Sequence, residues 1–233
     1  MKKKLSIIIP VYCENKNLKI LIPKIYKLLK NLKFDLIIVD DNSNDGTGDT
    51  IIRLKKKFKN LKILIRTKSP RDLSKSCALG FDYSNSELIL VMDGDLQHNP
   101  IFIKKFLNLY KREKCDFVIG SRQLFKKNQP GLNFFRSAIS KILIVTISSI
   151  LNFKTTDPMS GFFLFEKKFY LKNKKNLYLK GYKILADLIY STKKPLNIKE
   201  IDINFGKRIY GRSKANIKIL VYLIKFILIK YLK

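Results

Sequence analysis

Residues 87–97, Glu87-Leu88-Ile89-Leu90-Val91-Met92-Asp93-Gly94-Asp95-Leu96-Gln97, run from a short apolar stretch straight into two carboxylates and an amide. An apolar run of this length beside turn residues reads as a strand buried on both faces of a parallel sheet. Polar groups then surface at its carboxyl end, where open α/β sheets bind ligands. Asp93 and Asp95 can present hard oxygens to a divalent cation bridging a diphosphate. Asp-Gly-Asp is equally ordinary turn chemistry, because all three residues favour tight loops. These residues alone leave both readings open.

Outward from this stretch, further short apolar runs predict strands at 5–11, 36–39, 61–65 and 117–119. Helical patterns fill 18–32, 47–58, 73–83 and 101–111. The alternation predicts an α/β fold with a right-handed, doubly wound, mostly parallel sheet flanked by helices. Past Ser121 the pattern changes to a polar loop at 123–131, broken by Pro130-Gly131, and then a nearly all-apolar helical stretch at 138–151. Strands at 162–165 and 198–205 flank a helix around 180–191. No composition shift marks an internal boundary, so residues 1–214 read as one domain.

A chain of 233 residues can bury one substantial core. Cys13, Cys77 and Cys115 are widely spaced, contain no CxxC pair and have only His98 as an imidazole partner, which argues against a zinc scaffold or disulfide framework and fits a reducing compartment. Forty-eight basic residues against 18 acidic ones give a formal net charge of +30. Such a charge suits a polyanionic partner, either nucleic acid or an anionic membrane surface. Only 8 of the cations are Arg while Lys, Asn and Ile abound, so a coding bias toward A and T accounts for part of the excess. A nucleic-acid-binding domain is the rival from another class, but no zinc-finger spacing or RNA-binding aromatic motif accompanies the charge.

The basic start Met1–Lys4 precedes an apolar stretch that is short, contains Pro10 and lacks a small-residue cleavage site, so it reads as a first strand rather than a signal peptide. Residues 215–233 are apolar on more than one face but interrupted by Lys218, Lys225, Lys230 and Lys233. A spanning helix needs about 20 predominantly apolar residues. The segment is expected to be an interfacial amphipathic helix whose lysines reach toward headgroups, with a terminal helix packed on the domain as the alternative.

A second acidic strand end precedes the first by one β-α-β unit. Asp40-Asp41-Asn42-Ser43-Asn44-Asp45-Gly46-Thr47 can accept hydrogen bonds from a base or ribose, and its last three residues form a turn and helix start. Taken with Pro10-Val11-Tyr12-Cys13-Glu14 and Val91 to His98, this block resembles the signature of family 2 nucleotide-sugar glycosyltransferases. Gly120-Ser121-Arg122, Asp157 to Phe163, Gly181 to Leu185 and Phe205 to Lys214 resemble the dolichyl-phosphate mannosyltransferase branch, whose members glycosylate polyprenyl phosphates. The blocks cover nearly the whole chain in family order.

The resemblance implies a GT-A type fold and assigns Pro10, Tyr12, Glu14, Val39 and Asp41 to the base and ribose of a nucleotide-sugar donor. It makes Asp93, Asp95 and Gln97 the ligands of Mg²⁺ or Mn²⁺, with Asp93 and the backbone of Gly94 also beside the donor. Arg122, Lys183, Arg208 and Lys214 would gather phosphates, Arg136 would meet the acceptor phosphate, and Asp157 would position the acceptor or sugar. The expected reaction is inverting transfer of a hexose, mannose from GDP-mannose first among donors, to a polyprenyl (dolichyl-type) phosphate. It would occur peripherally at the cytoplasmic face of an anionic membrane, with a small membrane subunit left open as a further partner. A UDP-sugar donor and a glycan acceptor are the alternatives. Three features depart from the family pattern: Cys13 stands where Asn is usual, Gly94 where Ala is common, and 68–80 keeps only Arg71, Ala78 and Gly80 of a usually Gly-rich turn.

Overall fold

The computed structural model of the protein describes residues 4–68, 70–122, 155–181, 184–192, 194–206 and 208–211, together with Tyr222, Lys225, Phe226, Leu228 and Ile229. The chain opens as β1 (Leu5–Val11), α1 (Asn15–Leu28), β2 (Phe34–Asp40), α2 (Thr47–Lys55), β3 (Leu61–Ile65), α3 (Leu73–Tyr83), β4 (Leu88–Val91), α4 (Phe102–Glu113) and β5 (Phe117–Ser121). After 123–154 come β6 (Phe163–Glu166), α5 (Lys167–Asn173), a 3₁₀ turn at Lys174–Asn176, α6 (Ile184–Ser191) and β7 (Ile198–Asp202). The α5 helix has no counterpart in the sequence reading. The expected apolar helix at 138–151 and the boundary at 214/215 lie outside the described residues.

One seven-stranded sheet runs in the order β3-β2-β1-β4-β6-β5-β7. Its strands bury both faces, which is why they read as continuous apolar runs. On one face Ile7, Ile9, Leu36, Ile38 and Leu90 pack beneath α1 and α4, which contribute Leu18, Leu21, Ile22, Ile25, Ile103 and Phe106. The α1 residues follow the i, i+3, i+4, i+7 spacing of a helix stripe. On the other face Ile8, Ile37, Val39, Ile89 and Val91 meet Phe81 of α3, Tyr170 of α5 and Leu188 of α6. This two-sided packing is the doubly wound arrangement expected from the alternation.

Two features of topology place the site. First, β1 pairs in parallel with β2 on one side and β4 on the other, so strand order reverses direction at β1 and a crevice opens at the carboxyl ends of β1 and β4. Second, β6 is antiparallel to both β4 and β5. Its first residue therefore lies at the edge where β4 and β5 end, and the loop leading into it, Thr155 to Phe162, is delivered to the crevice. Beyond β5, β7 is again parallel, and Gly206 and Arg208 follow it at the same edge.

Among the described residues no helix is long and apolar enough to cross a membrane. Of the terminal segment, Tyr222, Lys225, Phe226, Leu228 and Ile229 are helical. Phe226 is buried, its ring 6.1 Å from that of Tyr178, while Leu228 and Ile229 are exposed. Among the described residues of this segment, Phe226 and Tyr222 lie against the domain while Leu228 and Ile229 face solvent.

Candidate active site

The Asp93–Gln97 turn is shaped by close packing and by backbone strain. A Cβ on Gly94 would stand 2.7 Å from Val11 Cγ1 and 3.3 Å from Ile9 Cγ2, so glycine lets the turn lie directly against β1. Leu96 adopts the left-handed conformation (φ 66°), unusual for a branched side chain, and holds it while packed against the core. Strain of this kind gathers at ligand sites. Across it, the Gln97 amide donates to Asp95 Oδ1 at 3.1 Å.

Three side chains of the turn have different surroundings. Asp93 leaves about a third of its side chain exposed, 32 %. Its carboxyl is pushed above the usual carboxylate range by desolvation, opposed by His98, reinforced by Asp95 and opposed again by Arg122 and Arg208. Asp95 is buried, and its Oδ2 lies 2.5 Å from Arg208 Nη2. Gln97 donates through Nε2 to the Gly206 carbonyl at 2.9 Å, which fixes the amide orientation and turns Oε1 toward Arg208 Nη2 at 3.5 Å. The main chains of Gln97 and Gly206 are also bonded, at 3.0 Å.

His98 is structural. It is buried, stacks on Phe162 with ring centroids 5.0 Å apart, and meets Phe205 edge-on. Its Nδ1 accepts the Asp93 backbone N–H at 3.1 Å.

Arg122 and Asp157 form a closed pair at the end of β5. Arg122 donates from Nε to Oδ2 and from Nη2 to Oδ1, both at 2.7 Å, and its backbone N–H adds a bond of 3.2 Å to Oδ2. Asp157 is 1 % exposed. Both its oxygens thus face Arg122, which makes it a positioning residue for that cation rather than a group that touches substrate. Gly161, in the same loop, has no room for a side chain, since a Cβ there would lie 2.7 Å from both Asp93 oxygens.

On the base side the acidic run serves mainly to hold its own loop. Asp40 Oδ1 accepts from the backbone and hydroxyl of Ser43, and Asp45 Oδ1 accepts the backbone and hydroxyl of Thr47. Asp41 accepts the Asp72 amide through Oδ2 at 2.7 Å, and Oδ1 sits 2.6 Å from Arg66 Nη2 as an ion pair without hydrogen-bond alignment. Val39 packs its side chain into the core, leaving only main chain for a ligand, and Pro10 is buried within β1. Tyr12 is half-buried beneath the Arg71 guanidinium, 4.0 Å from its ring centroid. Glu14 Oε2 accepts from Asn17 Nδ2 at 2.5 Å. Arg136, Lys183 and Lys214 lie outside the described residues.

The sequence reading missed Arg66 and Asp72, and carried Gly161 within a family block without giving it a role. Asp72, standing in the altered Gly-rich turn, caps α3 and accepts the Gly181 amide at 2.7 Å. One signal was available for Arg66. In a chain whose cations are overwhelmingly Lys, Arg marks places that require a planar, multi-donor group, and Arg66, Arg71, Arg122 and Arg208 all line this edge of the sheet.

Residues 6–172 match the sequence profile described as Glycosyl transferase family 2. The chain belongs to that family. Within glycosyl transferase family 2 it is similar to curated proteins named dolichol-phosphate mannosyltransferase. The one from Pyrococcus furiosus is 34% identical over 215 residues, covering 91% of this chain and 59% of the relative. The one from Saccharomyces cerevisiae is 32% identical over 232 residues, covering 93% and 82%. The chain therefore spans less than two thirds of the archaeal relative and most of the yeast one.

Among solved structures, glucosyl-3-phosphoglycerate synthase from Mycobacterium tuberculosis, in complex with Mn²⁺, UDP and glucosyl-3-phosphoglycerate, superposes with a TM-score of 0.71 at 15% identity, over 99% of this chain and 79% of that one. This likeness establishes the GT-A type α/β fold.

The donor set at the turn fits Mg²⁺ or Mn²⁺. Two hard oxygens, Asp95 Oδ2 and Gln97 Oε1, already converge on one cationic nitrogen, with Asp93 beside them. Among the described residues no group of three or more His, Cys, Asp or Glu forms a metal cage. Such a partial set suits an ion that keeps sites for water and for the phosphates of a ligand.

Proposed function

We propose that this family 2 glycosyltransferase transfers a hexose, with inversion, from a nucleotide sugar to the phosphate of a polyprenyl (dolichyl-type) phosphate, with GDP-mannose the first donor to test. The observation that carries the reading is the convergence at one sheet edge of Asp93, Asp95 and Gln97 with the cations Arg122 and Arg208. Two phosphate-bearing substrates repel each other, and a reaction between them needs positive charge fixed in place before they meet. Names of the relatives support the acceptor class and mannose as the sugar.

In this mechanism Asp95 and Gln97 hold the divalent ion, which when bound neutralises the diphosphate leaving group. Arg122, held rigid by Asp157, presents guanidinium N–H groups to phosphate without reorganising. Gly161, lacking a Cβ, lets its loop lie directly against the Asp93 carboxylate and so fixes where that carboxylate stands. Tyr12, with Arg71 over its ring, offers an aromatic face for the base. No strong general base is needed, because a phosphate monoester with a second pKa of about 6 is largely ionised near neutrality. His98, buried with Nδ1 occupied, is not required to act as one.

The reading extends to a peripheral position at the cytoplasmic membrane face, supported by the charge of +30 and the exposed Leu228 and Ile229 of the terminal helix. A panel of radiolabelled nucleotide sugars, offered with polyprenyl phosphate in detergent or with a soluble glycan, tests the proposal. Label extracted into organic solvent from one donor supports it, while label only in a glycan product overturns the acceptor class. Unchanged membrane recovery after deletion of 216–233 would remove the anchoring role.

A further inference from the structure

The segment after β7 lies across the donor crevice as a strap with two attachments. At one end Gly206 is laddered to Gln97, and Arg208 Nη2 sits 2.5 Å from Asp95 Oδ2 and 3.5 Å from Gln97 Oε1. At the other, the Tyr210 carbonyl accepts from Asn17 Nδ2 at 3.4 Å and the Lys16 ammonium lies 5.7 Å from the Tyr210 ring, both residues belonging to the start of α1 beside Glu14. The strap thus joins the metal-binding turn to the base side of the crevice. Its tip, Ile209 and Tyr210, is exposed. The amide of Asn17 adds a third observation: its Oδ1 is buried without a hydrogen-bond partner beneath this strap.

We propose that Arg208 is a built-in stand-in for the divalent cation: its guanidinium and the metal compete for the same oxygens of Asp95 and Gln97, so metal loading lifts the strap and frees Arg208 for a phosphate. The inference rests on the reading of Asp95 and Gln97 as metal ligands and adds a coupling between that site and the strap. A guanidinium seated 2.5 Å from Asp95 Oδ2 repels a divalent ion brought to the same oxygen, so the two compete for it. Competition of this kind lowers apparent metal affinity by the fraction of molecules in which the site is open. If Arg208 is docked in about nine molecules of ten, the apparent dissociation constant is raised about tenfold. A crevice whose acids are kept neutralised until metal arrives also avoids leaving Asp93 and Asp95 to repel each other.

The test uses Mn²⁺ alone on the nucleotide-free protein, with binding read from loss of the free-ion electron paramagnetic resonance signal. The sequence contains no Trp, so Tyr210→Trp supplies a single fluorescent reporter on the strap. Arg208→Ala is expected to bind Mn²⁺ about tenfold more tightly than the unsubstituted chain, and Tyr210→Trp to change its emission on Mn²⁺ addition with the same midpoint. That emission change should vanish in the Tyr210→Trp/Arg208→Ala double variant. Equal or weaker Mn²⁺ binding by Arg208→Ala overturns the proposal. Tighter binding with no emission change in Tyr210→Trp also overturns it, by reducing the effect to removal of a nearby positive charge. If neither the unsubstituted chain nor Arg208→Ala binds Mn²⁺, the metal-site reading itself fails and the proposal with it. Far-ultraviolet circular dichroism on each variant confirms that a loss of binding is not a loss of fold.

Discussion

Replacing Asp157 by alanine should destabilise the protein far more than the loss of one carboxylate on a surface would. Asp157 is 1 % exposed and Arg122 retains 16 % side-chain exposure, so the pair is nearly dry, and three hydrogen bonds from Arg122 end on that one carboxylate. Removing either partner strands the other charge in a site of low polarity, at a cost of about 3–5 kcal/mol. For a domain of this size 1 kcal/mol moves Tm by about 2–4 °C, so Asp157→Ala and Arg122→Ala should each lower Tm by roughly 6–20 °C. The double variant strands no charge and should be no less stable than either single. Urea unfolding of all four proteins, followed by circular dichroism, closes a double-mutant cycle whose coupling is expected to be about 3 kcal/mol or more. If the two single losses add within about 0.5 kcal/mol, the residues are independent and the account of Asp157 as the anchor of Arg122 is wrong.

The packing of the Asp93–Gln97 turn on β1 makes Gly94→Ala unfavourable by about 1–3 kcal/mol, because its Cβ would press on Val11 Cγ1; adding Val11→Ala should recover part of the loss in thermal melts, and no recovery would refute the contact. Cys13 is left-handed (φ 54°), a conformation Asn accepts far better than most residues, so Cys13→Asn should raise stability by about 0.5–1 kcal/mol, and a lower Tm would count against strain there. Burial works against the charge of Asp45, but bonds from Thr47 and Asn15 outweigh it and hold its carboxyl below the ordinary value. The stability it contributes is therefore present above the unfolded carboxylate pKa and is lost as pH falls through the lower folded value. The difference in unfolding free energy between the unsubstituted chain and Asp45→Asn should shrink across that acid window, and a pH-independent difference would contradict the assignment.

The sheet was legible because its strands are buried on both faces and announce themselves as apolar runs between turn residues. Helix ends were less so: α1 begins at Asn15 rather than 18, since its first turn is fixed by Asp45, 30 residues away, through bonds to the Asn15 backbone and side chain. The reversed direction of β6 has no local signature. It follows from the pairing of Phe163–Glu166 between β4 and β5, a tertiary fact, and yet it is what brings Asp157 and Gly161 to the site.

At the site, residue type and strand-end placement pointed to the Asp93–Gln97 turn, while Arg122 and Arg208 came from the family resemblance; the fold puts all of them at one edge of the sheet. Asp41 shows the limit of such reasoning. Its position fits a ribose contact, but its two oxygens face Arg66 and the amide of Asp72. Whether a carboxylate meets a ligand or a buried arginine depends on a partner 25 residues away, and spacing within a motif carries no information about it.

The account stands most directly on the Asp93–Gln97 turn as a metal and diphosphate anchor. Crystals of the protein soaked with Mn²⁺ and a nucleoside diphosphate, measured at the manganese absorption edge, test it in one experiment. An anomalous peak about 2–2.3 Å from Asp95 and Gln97 oxygens, with diphosphate oxygens completing its shell and Arg208 moved off Asp95, is the result expected. A nucleotide bound elsewhere, or bound in this crevice with manganese absent from the turn, would contradict it.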